Sequence, residues 1–288
     1  MSIVSKRSEI LFLYDVKRAN PNGDPMDANR PRIDEETGRC LVTDVRLKRT
    51  VRDYLFEKGY NGQEDPERDI FIRDEDGKPV TGEQRSESYK DKNEFVQKFI
   101  DVRLFGGVSG VKKKAFNITG PVQFGMGQSL NIVKENFIKG TGAFATKVGA
   151  EQRTFREEYN ITYGLFGFHG VINENAAKHT HLTEEDVDEL MEGLWNGTKN
   201  LLTRSKKGHM PRLLLKIDYS APNFFIGDLL ERLTLQPVNG KKEEEFEDIS
   251  SFLVDTTSLK EVLNKHQDKI AHIHVQQDDR IQLTAPLG

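Results

Sequence analysis

The chain has 288 residues, 31% of them charged, a mean hydropathy of -0.62 and a net charge of -4. That length suits one core with sizeable insertions better than two full domains. No stretch approaches the ~18–20 apolar residues of a membrane span, no apolar leader follows Lys6 and Arg7, and the lone Cys40 forms no internal disulfide, so a reducing cytoplasm is the expected location.

Residues 8–16 (SEILFLYDV) are apolar and β-prone and predict a buried strand. Residues 20–32 (NPNGDPMDANRPR) hold three prolines, Asn-Gly and several Asx residues, which predicts an irregular loop. A tight turn is expected over 34–38. Residues 43–58 predict a helix: Thr43 or Asp44 is the N-cap, Leu47, Val51, Tyr54 and Leu55 form one apolar stripe, and Gly59 ends it. Residues 62–98 are polar and acidic, an insertion with a helix near 93–102. Then follow a flexible glycine loop over 105–110, a strand over 115–124 with Gly120-Pro121 as a bulge or edge feature, and a strand over 160–171. A long helix is expected over 184–202, with Thr183 as N-cap, Asp186 at N3, and Leu182 and Val187 as a hydrophobic staple. Its stripe is Val187, Leu190, Met191, Leu194, Trp195, Thr198, Leu201 and Leu202. Residues 210–219 predict a further strand, and the pattern after Pro222 is mixed. This order is βαββαβ, an α+β class of ferredoxin-like or RRM-like topology interrupted by two insertions.

Charge is segregated along the chain. Residues 103–156 hold nine Lys/Arg against two Glu, whereas 62–101 hold seven basic and twelve acidic residues, and 241–250 hold two and five. A basic segment in an acidic chain points to one face for phosphates, the alternative being an uneven solvated surface.

Three features carry chemistry. Arg46, Lys48, Arg49 and Arg52 place four cations in the N-terminal half of the first helix, where each opposes the helix dipole by roughly 0.3–1 kcal/mol. A helix start also attracts phosphate, so the pattern suits a nucleic-acid backbone; a basic solvent face paired with Asp44, Asp53 and Glu57 is the alternative. The second feature is the run 106–149, which holds nine of the twenty-four glycines together with Lys112, Lys113 and Lys114. Such a run fits a groove tracking a single strand, with Phe137, Phe144 and Phe155 as stacking candidates; a mobile surface hairpin with core aromatics is the plainer reading. The third is the 20–32 loop, whose Asn20, Asn22, Arg30 and Arg32 suit base or phosphate contacts. Its Asp24 and Asp27 are a weak cation signal, since Asx residues more often close turns.

Neither a P-loop nor a G-x-S-x-G motif is present. The H-x-H pairs His179/His181 and His272/His274 lack the further ligands of a zinc site, and His169 lacks a legible acid–base partner. No catalytic residue, metal or cofactor is therefore expected.

The run RSEILFLYDVKRANPNGDPMDANRPRIDEETGR, followed by LVTDVRLKRTVRDYL, resembles the opening of the major Cascade subunit of type I CRISPR systems, nearest the type I-B branch with type I-C relatives. GPVQFGMGQSLN, TYGLFGFHGVIN, LTEEDVDELMEGLW and SKKGHMPRLLL extend the likeness across residues 8–219. The resemblance implies a RAMP-superfamily backbone subunit with an RRM-like palm and finger-like and thumb-like insertions. It further implies several copies bound head-to-tail along one CRISPR RNA, other Cascade subunits as neighbours, target DNA engaged through guide pairing, and cleavage left to a separate protein.

The expected divisions are 1–58 and 160–221 for the two halves of the palm, 59–104 for the finger, 105–127 for a palm strand and glycine loop, 128–159 for the thumb, and 222–288 for an unassigned extension. Gln123, Gln128, Ser129, Lys147 and Arg153 join the cations and asparagines above and Phe144 as expected RNA contacts. The RRM signature run is absent, so loops and the first helix rather than sheet aromatics are expected to carry RNA. Two other readings stay open: a metal-dependent RNase of the same superfamily built on Asp24, Asp27 or a histidine, and a regulatory protein.

Overall fold

The computed structural model describes residues 2–63, 65–75, 78–86, 89, 91–109, 116–145 and 153–288, with backbone alone described at 109, 116, 141–145 and 153–156. In chain order, β1 (Ser8–Ala19), β2 (Gly23–Asp24), β3 (Arg30–Ile33) and β4 (Cys40–Val42) lead into α1 (Asp44–Glu57). Next come α2 (Gly82–Ser86), α3 (Lys92–Lys98), α4 (Ile100–Phe105), β5 (Gly106–Ser109) and β6 (Phe116–Thr119). The chain returns through β7 (Val122–Phe124), β8 (Gly127–Ser129), β9 (Glu135–Ala145) and the long β10 (Arg153–Ile172). It closes with α5 (Glu174–Thr180), α6 (Glu184–Lys199), β11 (His209–Tyr219), β12 (Thr234–Pro237), β13 (Phe252–Asp255), α7 (Thr257–Lys265) and β14 (Ile270–Gln277).

The main sheet runs β14-β11-β1-β10-β8-β4-β3-β2, with β7 and β9 also paired to β10. Central β1 is antiparallel to both neighbours, placing Leu11 opposite His169 on one side and Leu215 on the other. Strand alternation sends Ile10, Phe12, Tyr14 and Val16 to one face, where they pack with Leu47, Val51 and Leu55 of α1 and Val187, Leu190 and Leu194 of α6. Leu11 and Leu13 point the other way, into a second core built with Leu229, Phe246, Phe252, Val254, Leu259 and Leu263. Covering both faces explains why the first strand reads as a continuous apolar run rather than an alternating one.

The C-terminal region, unassigned by pattern, is thus the cover of the second sheet face. Its fastening is the buried Glu9. That carboxylate accepts the backbone N–H groups of Ile226 (2.8 Å) and Gly227 (2.9 Å), meets His169 Nε2 at 2.7 Å, and accepts the Tyr219 hydroxyl. Burial alone would raise its pKa, but these hydrogen bonds outweigh burial and hold it below the usual carboxylate value. His169, without a legible partner in sequence, is therefore a structural ligand of Glu9.

The long helices follow their caps. Thr43 accepts from Arg46 N at the start of α1, and Thr183 with Asp186 forms a reciprocal capping box on α6. Other expectations need correction. The helix near 93–102 is broken at Phe99, whose extended backbone separates α3 from α4. Helix α6 stops at Lys199, leaving Leu202 74% exposed instead of in the stripe. The glycine loop over 105–110 is strand β5 as far as Ser109, and the strand over 115–124 is two strands: β6 pairs with β5 outside the main sheet, and β7 pairs with β10 within it. Gly106 and Gly120 make that crossing possible. A Cβ on Gly106 would lie 2.1 Å from Ile118 O, and one on Gly120 2.1 Å from the Phe105 carbonyl carbon, so the backbones touch where only glycine fits.

The region before this crossing has its own small aromatic core of Phe71, Phe95 and Phe99, with Val96, Val102 and Ile118. Asp101 ties it to α1, accepting from Arg52 Nε (2.7 Å) and from the backbone of Phe71 (2.6 Å) and Ile72 (3.3 Å). Both partners of this ion pair are buried. Replacing Asp101 with Asn leaves the Arg52 charge buried without compensation, and the expected loss is ~3–5 kcal/mol, measurable as a lowered denaturant midpoint. An unchanged midpoint would show that the pair does not hold this region in place.

Candidate nucleic-acid interface

Four segments converge at the C-terminal end of β1: the 20–32 loop, the start of α1, the turn over 203–208 and the base of the β9–β10 hairpin. Asn22 Oδ1 accepts both the backbone N–H and the hydroxyl of Thr43, at 3.0 Å each, docking the loop onto the first turn of α1. Asn20 Nδ2 donates to Asn29 O (2.6 Å) and Tyr159 O (3.3 Å), closing the loop and joining it to the hairpin. These two asparagines, expected as ligand contacts, are spent largely on shaping the loop.

The four cations of α1 do not act as one patch. Lys48 pairs with Asp44 (2.9 Å) and Arg49 with Asp53 (2.6 Å), both one helical turn away. The Arg49 pair is exposed and of a kind worth about 0.3–0.5 kcal/mol, so a phosphate can compete for Arg49, whereas the Lys48 side chain is only 13% exposed. Arg52 differs, for its guanidinium is bound inside the protein by Asp101 and lies over the Phe105 ring. Arg46 has no carboxylate within 4 Å among the described residues; its Nη2 donates to Thr50 Oγ1 at 3.2 Å. It lines a shallow notch with Tyr14, Pro21, Leu47, Thr50, Thr198, Leu201 and His209.

Lys206, which sequence reasoning did not single out, lies behind two residues that line this notch, its Nζ bonding Pro21 O and its carbonyl meeting His209 Nδ1. Backbone bonds from Lys17 N to Gly208 O (3.0 Å) and from Asn20 N to Ser205 O (2.9 Å) lay its turn against the end of β1. A Cβ on Gly208 would sit 2.0 Å from Lys17 O, so the glycine permits the approach. Lys206 Nζ donates to Asn20 O (2.6 Å) and Pro21 O (2.8 Å), and no carboxylate lies within 4 Å among the described residues. The available signal was a basic turn closed by glycine just before a strand, in SKKGH. Burial, with the Arg46 charge adding to it, pushes the Lys206 ammonium down to about 7. Burial likewise lowers Arg46. His209 stacks on Tyr14 at 5.7 Å, and its Nδ1 lies 2.6 Å from Lys206 O; a carbonyl only accepts, so that nitrogen carries the proton.

Around the notch the loop presents Arg30, fixed by two bonds to Glu135 (3.1 and 2.7 Å) and lying 5.3 Å from the Tyr159 ring centroid. Tyr159 stacks on the half-exposed Phe137 at 4.8 Å, and Lys139 lies over Phe137. Arg32 pairs with Asp24 across the loop (2.9 Å), and Asp27 lies 3.8 Å from Arg30. Both suspected metal carboxylates thus have arginine partners.

Other expected contacts sit elsewhere. Ser129 is fully buried, accepting from Cys40 N and donating to Asn131 O, and is structural. Gln128 is half-buried in the sheet between β4 and β10, and exposed Gln123 bonds Gly120 O; both line a groove with His169 on the other sheet face. Lys112, Lys113, Lys114 and Lys147 lie outside the described residues, as do the side chains of Phe144, Arg153 and Phe155. Among the described residues no helix is long and apolar enough to cross a membrane.

The family model described as CRISPR-associated protein Cas7 matches residues 6–256. The curated CRISPR-associated protein Cas7 of Haloferax volcanii is 34% identical over 311 residues, covering 96% of this chain and 88% of its own length. One chain of a solved CRISPR RNA-guided surveillance complex shares the fold, with a TM-score of 0.54 at 12% identity over 97% of this chain and 95% of that one.

The site also predicts how stability responds to acid. Burial, with Lys206 adding to it, pushes His209 down to about 3. Its folded pKa lies below the unfolded value of about 6.5, so the unfolded chain binds the extra proton and stability falls as pH drops from about 6.5 toward 3. Between about pH 8 and pH 5 this costs ~2 kcal/mol. A His209→Gln variant should lose that much less over the same interval in urea denaturation; equal losses would place the acid sensitivity elsewhere.

Proposed function

The chain belongs to the CRISPR-associated Cas7 family, and we propose that it is the CRISPR RNA-binding backbone subunit of a type I surveillance complex. The observation that carries this reading is the pair of Arg46, which lines the notch, and Lys206 beside it, both partly buried and, among the described residues, without a carboxylate within 4 Å, at the junction of loop, helix and hairpin. Two cations left uncompensated in a protein of net charge -4 have a use if a polyanion supplies the missing charge. Lys48 and Arg49 extend the track along α1, and Arg30 with Phe137 and Tyr159 offers planar surfaces on which bases stack. The relative's family and the fold shared with a guide-dependent complex support the same assignment.

In this reading the order β11-β1-β10-β7, with α1 and α6 on one face, is the ferredoxin-like palm. The region around Phe71, Phe95 and Phe99 is the finger, and the β9–β10 hairpin is the thumb. Successive copies meet head-to-tail, a contact that does not close and so builds a filament along the RNA. The bound guide is presented for pairing with target DNA, other subunits of the complex cap the filament, and the protein itself performs no cleavage. Asp24 and Asp27 serve the loop instead of a metal.

Exchange of Arg46 for Ala should weaken single-stranded RNA binding alike for every sequence and reduce the salt slope of log K by ~0.7. The Leu47/Val51/Leu55 stripe is untouched, so folding should persist by circular dichroism. An unchanged slope would remove the notch from the interface. Replacing residues 139–156 with a short Gly/Ser turn should leave a folded protein that still binds short RNA but no longer forms ordered multi-subunit assemblies on a long guide by electron microscopy. Ordered filaments from that variant would refute the thumb assignment.

A further inference from the structure

Resting on the RNA-binding reading above, we propose that Met26, at the tip of the 20–32 loop, is a wedge that enters between two successive bases of the bound strand and parts their stack.

Met26 is 94% exposed, the most exposed large apolar side chain among the described residues. The backbone beneath it is tied down. Asp24 Oδ1 accepts the Met26 N–H (3.0 Å), and Asp24 Oδ2 accepts from Arg32 Nη1 (2.9 Å). The Asp24 carbonyl accepts the N–H groups of Asp27 (3.1 Å) and Asn29 (2.8 Å). Ala28 and Asn29 turn the chain back through φ of 47° and 56°, so that Arg30 pairs with Asp24 across β2 and β3. At its base the loop is fastened to Thr43 of α1 by Asn22 and to Tyr159 of the hairpin by Asn20. The support is therefore ordered before any ligand arrives, and insertion restricts only the Met26 side chain.

The surroundings of the tip select the ligand. Every segment that meets at the end of β1 leaves a large apolar side chain in water: Met26 on the loop, Val45 on α1, Leu202 just before the 203–208 turn and Phe137 on the hairpin. The same segments carry Arg30, Arg46 and Arg49. Apolar groups interleaved with cations match a ligand that alternates bases with phosphates. Tyr159 and Phe137, stacked at 4.8 Å, offer flat faces on which bases lie. A methionine has no flat face. Its thin, unbranched, polarizable thioether fills the gap between two base planes, as apolar wedges do in bent nucleic acids.

The test uses the full chain and short oligoadenylates in which 2-aminopurine replaces one adenine, the label moved by one position from oligomer to oligomer. Stacking quenches this base, so saturating wild-type protein should brighten the label at the wedged step. Met26→Leu should keep that rise and Met26→Ala should lose it. Met26→Ala removes a side chain exposed to water and no cation, so its denaturant midpoint and salt slope should match the wild type. Affinity gives a second readout. Oligouridylate barely stacks, so a wedge opens it at little cost, whereas opening oligoadenylate sacrifices stacking. Met26→Ala should therefore weaken oligouridylate binding roughly 5-fold more than oligoadenylate binding, and equal changes would overturn the proposal. Arg46→Ala separates the two levels. If wild-type protein binds neither oligomer, or Arg46→Ala leaves the salt slope intact, the RNA-binding reading itself fails. If that slope flattens but no label brightens, or Met26→Ala brightens it as the wild type does, the wedge alone fails and the tip is left for a protein contact.

Discussion

Burial of β1 on both faces is the constraint from which the rest of the architecture follows. Its even-numbered side chains meet α1 and α6, and its odd-numbered ones meet the C-terminal cover. With both faces of the central strand occupied, its surface offers no platform for a ligand. At the strand's end the loop, helix start, basic turn and hairpin base meet instead. The same constraint accounts for the polar residues at the margins of the second core. Glu9 and Asp15 stand on the buried face with Leu11 and Leu13, and each is saturated by donors: Tyr219 and two backbone amides for Glu9, Arg212 and Tyr163 for Asp15. A buried carboxylate left short of partners would cost several kcal/mol, and for Glu9 two of the donors are backbone amides of the cover.

The long β10 gives the molecule its reach. Its C-terminal half is a core strand against β1, β7 and β8, and its N-terminal half leaves the core to pair with β9 alone. One uninterrupted strand serves both roles, so the hairpin is anchored in the main sheet without a hinge loop between them. Tyr159 and Phe137 mark the transition, stacked and partly exposed beside Arg30.

Electrostatics divides the cations into two populations. Arg52, Arg103 and Arg212 are buried or nearly so and bonded to Asp101, Asp186 and Asp15, where they fasten one layer to another. Arg46 and Lys206 are also partly buried but, among the described residues, lack such partners, and desolvation of an unmatched cation disfavours its charge. Net charge says nothing of this distinction.

Local patterning was enough to read the strands that become β1, β10 and β11 and the helices α1 and α6. Their apolar periodicity and Thr43 and Thr183 caps are properties of contiguous residues. It also raised the expectation that α1, the 20–32 loop and the hairpin face RNA. Tertiary structure alone decided which cations meet a carboxylate among the described residues. Asp101 lies 49 residues from Arg52, and Lys206 reaches Asn20 O across 186 residues, so neither relation has a local signal. It likewise decided that Phe71, Phe95 and Phe99 form a core within a polar insertion, and that the unpatterned C-terminal region covers a sheet face. Periodicity reports which way a side chain points along one element; the partner that meets it is set by how distant elements pack.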